Sequence, residues 1–79
     1  MKGEEISIRI GAWLMGPAVE GVAGNAGVDV LRSRCAQELG FEDNAEFQAF
    51  FKIVHQLWAS KRLEMMMAYW ENRAHLDSL

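Results

Sequence analysis

Phe47, Phe50, Phe51, Val54, Leu57 and Trp58 recur three and four residues apart, the spacing of an amphipathic helix that turns one apolar stripe toward a core. Asp43 precedes the stripe and Glu46 follows three residues later, which predicts a capping box. Glu42, Asp43 and Glu46 also set negative charge at the positive end of the helix dipole. Upstream, Val28, Leu31, Cys35 and Leu39 keep helical spacing and Gly40 follows, predicting a helix over 28–39 with a left-handed glycine stop. Gly16-Pro17 predicts a further helix start, because proline lacks only an N–H that a first turn leaves unused. Gly21, Gly24 and Gly27 would then form a ridge without side chains.

Ile6-Ser7-Ile8-Arg9-Ile10 alternates strictly, the period of a short half-buried strand. The other alternating stretch is Val28-Asp29-Val30. The segment is therefore a strand paired there, a strand paired with a second copy, or a helical turn.

After Gly40 the chain has no glycine or proline. One unbroken helix from Asn44 to about Leu76 would run roughly 50 Å, whereas a compact chain of this length has a radius of gyration of only about 12 Å. Either the helix breaks near Ala59-Ser60-Lys61-Arg62, with Ser60 capping a second segment, or it projects and packs against something else. At about 100° per residue, Met65, Ala68, Tyr69 and Leu76 continue the stripe through Val54. Leu63, Met66, Met67, Trp70 and Ala74 fall on nearly the opposite side.

A chain of 79 residues lacks the material to bury both faces. Leu63, Met66, Met67, Trp70 and Ala74 are accordingly expected to bind a partner, as a homodimer or as an inhibitor or adaptor of a larger protein. Met and Trp are enriched at such surfaces. The competing expectation is that they fill the core of a helical hairpin after a break at Ser60. The fold expected is mainly α: one domain over 1–79 with three or four helices, and a short N-terminal strand as the variant.

Composition agrees with a folded domain, at 51% hydrophobic and 24% charged residues. All seven glycines and the one proline lie at or before Gly40, whereas all four phenylalanines follow it, so the second half is expected to form the core and the first to cover it. A net charge of −3 supplies no field to hold a polyanion, which disfavours nucleic acid. No apolar run reaches the roughly 18 residues of a membrane span, and Glu4-Glu5 suits no signal-peptide leader. A lone Cys35 cannot form an internal disulfide, so the expected home is the reducing cytoplasm.

Candidate chemistry is sparse. Cys35, His55 and His75 are too few and too far apart for a zinc pattern. Glu71 and His75 share a helical face and read as a salt bridge, and Cys35 on an apolar stripe reads as an inert thiol. Gly21 to Gly27 lacks the Gly-Lys-Ser/Thr ending of a phosphate loop. No cofactor or metal is expected, and with no catalytic set the protein is expected to be non-enzymatic.

Ala36-Gln37-Glu38-Leu39-Gly40-Phe41-Glu42-Asp43, then Phe47, Phe51 and Lys52, resembles the second helix-turn-helix of AraC-type transcription regulators. That family's pattern runs Ala-x-x-x-Gly-Phe-x-Asp and then Phe-x-Arg, with Phe-Lys after it. The resemblance spans Ala36 to Lys52 and implies, as the alternative function, a DNA-binding regulator whose helix Asn44 to Val54 enters the major groove. Ala49 stands where the family has arginine and Gln56 where it has glycine, which removes a basic contact and a stop signal.

Overall fold

The computed structural model describes residues 2–21 and 27–77. Four α-helices follow one another: α1 (Lys2–Met15), α2 (Val28–Leu39), α3 (Ala45–Ala59) and α4 (Leu63–Asp77), with a 3-10 turn over Pro17–Gly21 after α1. No strand occurs among the described residues. The described residues form a small all-helical domain, which bears out the mainly α expectation without the strand variant.

The alternating isoleucines lie inside α1. Ile6, Ile10, Trp13 and Leu14 are all buried, and their spacing of four, three and one is a helical stripe that the alternation masks. Ile8 falls on the flank, half-buried. The strand expectation fails because a five-residue run fits both periods, and only the continuation through Trp13 and Leu14 separates them.

α1 packs against α2, α3, α4 and the 3-10 turn. It approaches its neighbours closely along Gly3, Ser7 and Gly11: a Cβ at Gly11 would sit 2.5 Å from Met67 Sδ, and one at Gly3 2.9 Å from Phe50 Cζ. Two polar contacts hold α1 to α2. Arg9 Nη2 donates to the Leu39 carbonyl at 3.0 Å and lies 4.6 Å over the Phe41 ring, a cation on a helix C-terminus and an aromatic face together. Trp13 Nε1 donates to Glu38, which Arg34 also engages; Arg34 and then Trp13 hold that carboxyl below the usual range.

The residues predicted for α2 match its ends. Gly40 takes φ 78°, and the N–H groups of Gly40 and Phe41 both donate to the Ala36 carbonyl, a Schellman-type stop. α3 begins one residue later than predicted. Asn44, and not Asp43, caps it by accepting from the Phe47 N–H at 2.9 Å, because Asp43 is drawn to Arg32 at 3.1 Å. The predicted stripe faces inward: Phe47, Phe51 and Val54 are buried, and Phe50, Leu57 and Trp58 pack partly buried around them. The rings of Phe41, Phe47, Phe51, His55 and Trp58 follow one another with centroids 5.6–6.1 Å apart.

The helix expected from Gly16-Pro17 amounts to the single 3-10 turn. Gly24 of the glycine ridge lies outside the described residues, and Gly27 has open space around it, so no ridge contact forms there.

Candidate interaction surface

The chain breaks where the polar run Ser60-Lys61-Arg62 allowed it. Lys61 adopts φ 62°, and the N–H of Arg62 donates to the Leu57 carbonyl at 2.8 Å while that of Ser60 reaches Gln56. This is the same left-handed stop that ends α2, built without glycine. It reorients α4 relative to α3, and a stripe that would be continuous in one helix is no longer so.

The consequence reverses the expected assignment of faces. Leu63, Met67 and Trp70 are only 3%, 9% and 8% exposed; they belong to the chain's own core, Leu63 and Met67 against Gly11 of α1. Met66 is partly buried against that core. Of the five residues expected to bind a partner, Ala74 alone is exposed, where it lines a groove of about 370 Å³ with Glu4, Glu5, Ile8 and Arg9. The correction has a simple cause: once the helix turns at Lys61, α4 docks with the face that a straight helix would have turned outward.

The opposite face is left uncovered. Met65, Tyr69 and Leu76 are 75%, 54% and 59% exposed, with Ala68 and Asn72 exposed beside them. They were expected to extend the core stripe. The consecutive Met65, Met66 and Met67 illustrate the phase, lying respectively outside, at the edge and inside. Arg73 ties this face to α1: its Nη1 donates to the Tyr69 hydroxyl at 3.5 Å and its Nε lies 3.8 Å from Glu4 Oε1. The other Glu4 oxygen is buried without a hydrogen-bond partner. The sequence signal that would have found the outer face is the mismatch itself. Leu63, Met67, Trp70 and Ala74 form a regular stripe that cannot share a straight axis with Val54 unless the axis breaks.

The remaining candidates sit apart. Cys35 is fully buried, and desolvation, then the nearby Glu38, push its thiol up to about 12, so it holds its proton at neutral pH. His55 stacks on Phe51 and meets Trp58 at a tilt of 46°, while Glu71 and His75 are exposed on α4. Among the described residues no three His, Cys, Asp or Glu side chains converge as a metal site, and no helix is long and apolar enough to cross a membrane.

α2 and α3 flank the Gly40 turn where the helix-turn-helix resemblance expects two helices. Arg32 spends its charge on Asp29 at 2.8 Å and Asp43 at 3.1 Å. The exposed residues of α3 include Gln48, Ala49, Lys52, Ile53 and Gln56, one cation among them. Comparison with known proteins produced no match to a family model, to a curated protein or to a solved structure.

Proposed function

We propose that this chain is a non-enzymatic protein-interaction module that engages its partner through the outer face of α4: Met65, Ala68, Tyr69 and Leu76. The observation that carries the reading is the exposure of three large apolar side chains on one face of one helix. Met15, Val28, Val30 and Ile53 are also exposed, but they are spread over three other helices, and scattered apolar residues are ordinary surface. A contiguous apolar face marks an interaction site, and a Met beside a Tyr combines an adaptable side chain with a rigid anchor.

The test is affinity capture by the tagged full chain, from an extract of its own cells and from a solution of the untagged chain. Both are compared with Met65→Glu/Tyr69→Glu at matched thermal stability. Capture that the double variant loses supports the reading; equal capture by both, or none by either, overturns it.

The helix-turn-helix alternative has the Gly40 turn between α2 and α3 in its favour. Its charge is against it, with a net −3 and Lys52 as the cation on α3. Duplex affinity comes largely from phosphate neutralisation, so no shift of a labelled duplex is expected at about 50 mM salt. A shift lost steeply as salt rises would favour that alternative.

A further inference from the structure

Resting on that reading, we propose that Met65 is the site at which peroxide modifies this chain, and that its sulfoxide switches off the outer face of α4. The chain carries its sulfur in five methionines and one cysteine, and the fold grades their access to solvent. Met65 is 75% exposed and Met15 47%; Met66 is partly buried, Met67 is 9% exposed and Cys35 is fully buried. Met1 lies outside the described residues. Oxidation requires the oxidant to reach the sulfur, so exposure sets the order among the thioethers. A cysteine thiolate is ordinarily the stronger nucleophile toward peroxide. Here Cys35 sits in the core and keeps its proton at neutral pH, which leaves Met65 as the most accessible sulfur among the described residues.

The step is a two-electron oxygen transfer from hydrogen peroxide. The sulfur lone pair attacks one peroxide oxygen; the sulfur–oxygen bond forms and the oxygen–oxygen bond breaks. The departing hydroxide takes the proton of the transferred hydroxyl and leaves as water, so sulfur is oxidised and peroxide reduced. A dithiol-fed sulfoxide reductase reverses the step: two thiols become a disulfide, and the sulfoxide oxygen leaves as water.

The place of Met65 decides the effect. It stands one turn before Tyr69 on the exposed face of α4, so its sulfoxide sets a polar acceptor oxygen into an apolar patch. A partner that covers this oxygen without donating to it loses affinity. The chain's own core is spared, because the Met65 side chain lies in solvent. Met67 is the contrast: its Sδ packs against Gly11 of α1, where an added oxygen would force the two helices apart. Consecutive methionines thus divide two roles, Met67 holding α4 to α1 and Met65 presenting sulfur to solution.

For the test, the full chain is treated with limiting hydrogen peroxide to about one oxygen per chain, freed of peroxide, and mapped by proteolysis and mass spectrometry. Met65 sulfoxide is expected to form about twofold faster than Met15 sulfoxide and at least about fivefold faster than Met67 sulfoxide, with Cys35 unmodified and helicity unchanged. The mixture is then passed over beads bearing the proteins of its own cell extract and over beads bearing the untagged chain, and bound and unbound fractions are mapped. Met65 sulfoxide should be at least about tenfold scarcer in the bound fraction, and Met15 sulfoxide equally frequent in both. Sulfoxide reductase with a dithiol should return the unbound chain to the beads. A faster oxygen on Met15, Met66, Met67 or Cys35 overturns the inference, and so does Met65 sulfoxide equally frequent in both fractions. The failures are separable. Untreated chain that no bead retains removes the interaction reading and the switch with it; retention that ignores the Met65 sulfoxide leaves the reading standing and removes only the switch.

Discussion

α2 and α3 end in the same way. Each finishes in a residue with left-handed backbone, Gly40 at φ 78° and Lys61 at φ 62°, and each feeds the next N–H back to a carbonyl five residues earlier, Phe41 to Ala36 and Arg62 to Leu57. Gly40 has no Cβ and adopts that conformation freely; Lys61 carries a side chain, and a single such residue costs about 1 kcal/mol. A glycine stop can be read from the chain, whereas a lysine stop depends on the helices it joins. The second stop also has the larger consequence, since it decides which face of α4 is core and which is exposed.

The sharpest way to break this comparison is to truncate each face of α4. Leu63→Ala should lose about 2–5 kcal/mol in urea unfolding, the cost of deleting a buried leucine, while Tyr69→Ala should stay within about 0.5 kcal/mol. Equal losses would mean that the turn at Lys61 does not reorient α4. Gly40→Ala comes next, with about 1–2 kcal/mol lost to a left-handed position that alanine resists.

A pH titration then probes how firmly α2 is docked. The unfolded chain sheds the Cys35 proton near 9, whereas burial holds it in the folded chain until about 12. Between those values the unfolded state binds fewer protons, so stability falls as pH rises, by about 1 kcal/mol over the first unit above 9. Cys35→Ala should flatten that slope; an unchanged slope would place the thiol in water. The smallest effect is a gain. Lys61→Gly should raise stability by about 0.5–1 kcal/mol by removing the strained side chain, read as a higher urea midpoint with an unchanged slope. A loss would show that glycine's added unfolded-state freedom outweighs the strain relieved.

Much of the fold was legible. The stripe from Phe47 to Trp58 and the bounds of α2 follow from periods that repeat over three or more turns, where only one secondary structure fits. Ile6 to Ile10 was not legible, because a run that short satisfies a strand and a helix alike. The cap of α3 was missed by one residue because Asp43 had two uses, and Arg32, eleven positions away, claimed it. No local rule ranks a cap against a distant ion pair.

The exposed face of α4 shows the same limit. Periodicity established that Met65, Tyr69 and Leu76 share one side of α4 and that Leu63, Met67 and Trp70 share another, since angles within a helix are fixed by its own geometry. Which side turns inward is an angle between elements. It depends on the left-handed turn at Lys61 and on the close approach that Gly11 offers to Met67, and those arise only once α1, α3 and α4 pack together.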